Sequence, residues 1–224
     1  MKPIIYAIIV LLLTNSFLFG QRRLSRVEIL KYWNLNSGKE EKNLLRIVDS
    51  DSALNVQLVG LVDSLNLKGI DSIIIFSTAL PGYISQSKCD TGYFPITTFL
   101  IWRTCGVTNI QKIRGQCQSE IVKDSTLRLF DIYGENSQKL ELEAFMPVIM
   151  SGQINRDKTV TYLMSDLDHE PKYSFFYKMG KSSKSFHFCQ SYLDNKKSLF
   201  RDYNLALSAY QWWRLVKNIT DKRN

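Results

Sequence analysis

Histidine is nearly absent from this chain: only His169 and His187 occur among its 224 residues. Any scheme built on imidazole has two positions to choose from, and neither lies in an HExxH zinc motif. Cysteine is sparse too. The four residues Cys89, Cys105, Cys117 and Cys189 include no CxxC redox pair and no zinc knuckle. GxSxG does not occur, so the nucleophile elbow of α/β-hydrolases is excluded. Gly180-Lys181-Ser182 ends like a phosphate loop, but the earlier glycine position is Phe175. Ser85-Gln86-Ser87-Lys88 fits SxxK, yet its SDN and KTG companions in penicillin-recognising enzymes are missing. No internal repeat, low-complexity tract or interdomain linker divides the chain.

What is present begins at the amino terminus. Lys2 is followed by the apolar run Ile4–Leu13, a polar break at Thr14-Asn15-Ser16, then Phe17-Leu18-Phe19-Gly20 and Gln21. A short positive end, an apolar centre and a small residue before a polar chain form the layout of a secretory signal peptide. The expected organisation is a signal peptide over 1–20 and one globular domain over 21–224. A cut after Ser16, with Thr14 three places earlier, is the alternative site. Residues 4–20, if retained, would make a marginal membrane anchor. Arg22, Arg23, Arg26 and Lys31 would then favour an inward-facing body. No cysteine near the end of the apolar run offers a lipoprotein acceptor. The sequon Asn218-Ile219-Thr220 bears only on a eukaryotic secretory pathway. The expected location is periplasmic or secreted.

Loss of the leader leaves 204 residues, enough to bury a real core without obligatory disulfides. A hydrophobic share of 45% and a charged share of 22% are those of a globular protein. The net charge is +8, or +7 once Lys2 is removed. Lys178, Lys181, Lys184, Lys196, Lys197 and Arg201 crowd one stretch in which Asp194 is the only acid. They read as a solvated rim or as a patch for phosphate-bearing lipid, glycan or another acidic partner. An even number of cysteines in an exported protein implies two disulfides, with three pairings open. The preferred pairing is Cys89–Cys105 with Cys117–Cys189.

Along the chain, Leu24, Val27 and Leu30 suit a first helix, and Leu44, Leu45 and Val48 a second. Ser52 is an N-cap for a third, which carries Leu54, Leu58, Leu61, Val62 and Leu65 and ends at Lys68-Gly69. These stripes read as core-facing, not as a partner groove. Asp71–Ser77 and Thr97–Thr104 read as strands; Val107–Gln116 fits strand or helix. Leu127–Tyr133, Lys139–Phe145, Val148–Ile154, Thr159–Met164, Tyr173–Met179 and Lys184–Gln190 follow as hairpin strands. Tyr173, Phe175, Tyr177 and Met179 share one face. Leu199–Lys217 closes the chain as one amphipathic helix with Leu205, Ala209, Trp212, Val216 and Ile219 in a stripe. The expected fold class is α+β: an antiparallel β-meander with an N-terminal helical region and a C-terminal helix packed on the sheet.

Candidate chemistry is thin. Asp166, Asp168, His169 and Glu170 could hold Ca²⁺ or Zn²⁺, but their order matches neither HExxH nor a calcium loop, and Pro171 favours a turn. His187 and Cys189 share a strand face and could form an activated thiolate, unless Cys189 is bridged. The aromatics of the last strands and helix either line an apolar cavity or fill a core. The expected function is that of an exported, non-enzymatic envelope or secreted protein. Its partner would be an envelope protein or an acidic or amphiphilic ligand; neither a cofactor nor nucleic acid is expected. The alternatives are a small metal-assisted hydrolase at 166–170 and an apolar-ligand carrier.

Overall fold

The computed structural model of the chain describes residues 22–37, 52–82, 88–89, 95–125, 128–165 and 169–222. They form an α+β fold: a seven-stranded antiparallel sheet, a three-stranded sheet and six helices. The large sheet comprises β2 (Ser72–Ala79), β3 (Ile96–Thr104), β4 (Val107–Arg114), β5 (Cys117–Gln118), β6 (Val122–Asp124), β9 (Lys172–Met179) and β10 (Ser182–Cys189). Its order is β10-β9-β2-β3-β4-β5, with β6 also on β4. The small sheet runs β1 (Arg22–Arg23), β7 (Ile149–Ile154), β8 (Val160–Met164).

The first helix, α1 (Arg26–Ser37), starts from a capping box. Ser25 N–H donates to Glu28 Oε2 at 2.9 Å, and Glu28 N–H returns to Ser25 Oγ at 3.3 Å. These bonds and Arg22 hold the Glu28 carboxyl down at about 2. Starting the helix there turns Ile29 inward, so Val27, expected in the core, is exposed. Ile29 meets the sheet at Gly152, where an added Cβ would lie 3.0 Å from Ile29 Cγ1. The expected helix around Leu44, Leu45 and Val48 lies outside the described residues.

The next helix, α2 (Ser52–Leu67), includes Ser52, expected as its N-cap, and ends where the sequence predicts. Gly69 adopts φ +73°, Gly69 N–H donates to Asn66 O, and Ile70 N–H donates to Leu65 O, a Schellman ending. Leu54, Leu58, Val62 and Leu65 pack on Ile73, Ile75, Leu100, Trp102 and Ile113, one face of the large sheet.

The opposite face is aromatic. Phe76, Phe99, Tyr173, Phe175, Tyr177, Phe186 and Phe188 pack under α3 (Asp131–Leu142) and α6 (Ser208–Asp221). Both helices differ from expectation. The strands predicted at Leu127–Tyr133 and Lys139–Phe145 are replaced by α3. Its inward residues Ile132, Tyr133, Asn136 and Leu140 recur every three to four positions, while Leu142, expected beside Leu140, is exposed. The predicted terminal helix is two helices, α5 (Arg201–Ala206) and α6, broken at Leu207 with ψ 141°. The break has a tertiary cause. Glu143, just past α3, accepts the Ser208 and Ala209 N–H groups at 2.8 Å each and caps α6.

The disulfide pairing also corrects the expectation: Cys89 joins Cys117, and Cys105 and Cys189 keep their thiols. Cys105 lies in the tight turn between β3 and β4 with φ +49°. Cys117 returns on β5, where Gln116 N–H donates to Cys89 O at 3.0 Å and brings Cys89 alongside. Cys189 faces Lys172 at the other end of the sheet, ~30 Å along the strands from Cys105, well beyond disulfide reach.

Candidate functional site

The basic stretch does not assemble into one patch. β9 and β10 pair from Met179–Ser182 to Lys172–Cys189, with Lys181 in the two-residue turn. Lys196, Lys197 and Arg201 follow α4 (Ser191–Asp194) at the far end of that hairpin, ~25 Å from Lys181. Lys178 and Lys184 lie on opposite faces of the sheet. Lys178 Nζ donates to Asn66 Oδ1 of α2 at 2.5 Å. Lys184 Nζ donates to Leu140 O, Glu141 O and Glu143 O at 2.9, 2.8 and 2.5 Å and rests 4.9 Å from the Phe186 ring centroid. It therefore caps the C-terminus of α3, the end that favours a cation. Burial lowers its pKa, against the pull of Glu141 and Glu143. Arg201 pairs with Asp202 at 3.3 Å. Two of these basic residues are structural ties, and the rest are spread over two ends of the molecule.

The acidic cluster is only partly described, since Asp166 and Asp168 lie outside the described residues. Glu170 is buried and accepts Ser191 N–H at 2.5 Å and Ser191 Oγ–H at 2.7 Å, which ties it to the start of α4. His169 is exposed and lies against Gly82. Among the described residues no three of His, Cys, Asp and Glu gather closely enough to hold a metal ion.

His187 takes part in a polar row across four strands. Its Nδ1 lies 2.8 Å from Ser174 Oγ, Ser174 faces Ser77, and Ser77 Oγ lies 2.8 Å from Thr98 Oγ1. A hydroxyl at hydrogen-bond distance from imidazole resembles a nucleophile and its base. Ser174 is buried, at 5% exposure, while His187 is exposed. The row works as a cross-strand lock on the mainly aliphatic face. Cys189 sits two residues along on the same face and is not bridged, contrary to expectation.

The aromatics pack against one another. Trp212 meets Phe175 at 5.2 Å and Tyr177 at 5.3 Å between ring centroids, and Trp213 meets Tyr173 at 4.9 Å. Tyr177 Oη–H donates to Glu141 at 3.2 Å. Burial and that carboxylate push the Tyr177 phenol well above its usual range, and burial pushes Tyr173 to about 12.

A different surface stands out on α2. Val56 is 74% exposed, Val59 43% and Leu67 91%, all on the side away from the sheet. Gly60 lies among them with no atom within 4 Å of an added Cβ, and Asp63 is the single charge on the helix. Exposed apolar side chains on a helix whose other side is core mark a candidate contact surface, here interrupted by Asp63 and Ser64. The core-facing stripe expected of α2 does not account for this outer side. The signal was available: Val56, Val59 and Leu67 fall off the stripe of Leu54, Leu58, Val62 and Leu65. The chain matches no protein family, no curated protein and no solved structure.

Proposed function

We propose that this chain is an exported, non-enzymatic envelope or secreted protein that binds another envelope protein through the outer side of α2. The observation that carries the reading is the solvent-facing row Val56, Val59 and Leu67 on a helix whose inner side is already core. Exposed apolar surface of this kind, with one charge beside it, favours a protein surface over a phosphate-bearing ligand. The dispersal of the basic residues points the same way. The leader-like amino terminus and the Cys89–Cys117 disulfide are compatible with export, and no helix among the described residues is long and apolar enough to cross a membrane.

The partner reading is tested by placing a photo-crosslinking residue at Val56 in the native host, with Gln138 on the exposed side of α3 as the control. A discrete adduct at Val56 and none at Gln138 is expected; equal labelling at both sites would sink the reading. Export is tested separately by intact mass and alkylation of the native protein. The expected result is loss of the leader, with two cysteines alkylated before reduction and four after. A full-length mass would overturn the cleaved leader.

A further inference from the structure

The small sheet ends on an edge without the usual protections. β8 closes the order β1-β7-β8, and no described strand pairs with its outer side. Edge strands are normally blunted by lysine, proline or a bulge. Val160-Thr161-Tyr162-Leu163-Met164 has neither charge nor proline, and the register shift of this sheet lies in β7, between Ile149 and Ser151. Leu163 is 57% exposed and Met164 46%.

The hydrogen bonds fix which backbone groups face outward. Asn155 N–H donates to Thr159 O at 2.9 Å, and Ser165 N–H donates to Val148 O at 3.1 Å. Alternation along an antiparallel ladder then turns the backbone of Thr161 and Leu163 toward β7. The N–H and C=O groups of Val160, Tyr162 and Met164 point away from the sheet.

We propose that β8 pairs antiparallel with β8 of a second copy, about a two-fold axis at Tyr162, so that two three-stranded sheets become one. In that register Tyr162 faces Tyr162, and Val160 of each copy faces Met164 of the other. All of these are outward-pointing residues, so each pair exchanges two hydrogen bonds. Thr161 faces Leu163 of the other copy, and no like charges meet. A two-fold axis normal to the sheet runs the two strands antiparallel. Such an isologous contact closes on itself. A five-residue strand buries less than the ~1,000 Å² of a stable interface, so the dimer is weak and dissociates on dilution.

The test is sedimentation of the full chain recovered from its host, alongside two double variants at exposed positions. Thr161→Lys with Leu163→Lys opposes lysine to lysine twice across the axis; Thr161→Lys with Leu163→Glu opposes lysine to glutamate. Both lose the same Asn155–Thr161 side-chain hydrogen bond, and matched thermal melts confirm that both are folded. The expected result is a wild-type dimer, weakened about tenfold or more in the Lys/Lys variant and kept in the Lys/Glu variant. A wild-type monomer at the highest soluble concentration would overturn the proposal. So would equal dimerisation of the two variants, or loss of the dimer in both.

Discussion

The two faces of the large sheet are covered in different ways. The aromatic face carries two helices, and its rings contact one another from β3 through β9 and β10 to α6. Polar ties lock the cover in place: Lys184 closes the end of α3 and Glu143 caps the start of α6. Among the described residues the mainly aliphatic face carries α2, which packs through Leu54, Leu58, Val62 and Leu65 and leaves Val56, Val59 and Leu67 in solvent. One face is finished by the chain itself; the other still presents surface. Closure by the chain and exposed apolar surface thus fall on different faces.

The contrast can be broken most severely at Trp212, which is fully buried among Tyr133, Phe175 and Tyr177. Trp212→Ala should cost about 4 kcal/mol, because locked rings cannot collapse into the cavity. Leu58→Ala, equally buried on the aliphatic face, should cost roughly 2–3 kcal/mol, since α2 can settle inward. Urea titration of the two variants checks the order, and equal losses would mean that the faces are equally rigid.

Alkali should separate the faces next. Tyr173 and Tyr177 are held protonated in the fold, Tyr173 up to about 12, against an ordinary value of 10.0. A raised phenol contributes stability that is fully present below pH 10 and lost as pH climbs toward 12, because the unfolded chain ionises first. Each such tyrosine should steepen the loss by about 1.4 kcal/mol per pH unit in that window. Tyr173→Phe should flatten the profile of melting temperature against pH above 10; an unchanged slope would remove Tyr173 from this account.

The smallest effect on stability is expected where the effect on binding is largest. Val56→Lys with Leu67→Lys should leave the melting temperature nearly unchanged, within about 0.5 kcal/mol per site, while abolishing the adduct at α2. With both positions changed, the crosslinker is carried at Val59. A persisting adduct would move the binding surface elsewhere.

Much of this contrast was legible in the residues. Tyr173, Phe175 and Tyr177 alternate without interruption before Gly180-Lys181, so the β9–β10 hairpin and its inward face follow from period and turn chemistry. Gly69 ends α2 in the same local way. Residues 139–145 misled because Leu140 and Leu142 alternate with Glu141 and Glu143, and the longer repeat through Ile132, Tyr133 and Asn136 outweighs that short run. The break at Leu207 has no glycine or proline to announce it; a carboxylate distant in sequence makes it. The cysteine pairing was beyond reach for a similar reason, since it depends on how β4 returns into β5. As for the site, the sequence named the basic residues and the aromatics but assigned no partner surface to α2.

The seam between β2 and β9 bears on how fast the molecule forms. Ser72 faces Met179 and Ala79 faces Lys172, so the central pairing of the sheet joins segments from distant parts of the chain. The hairpins β3–β4 and β9–β10 need only local closure and should assemble early. The seam must wait for a long loop to close, which places the domain among slow, high-contact-order folders. Until then Ile73, Ile74 and Ile75 lack their β9 partners, so the waiting interval is when this chain is most open to misassociation.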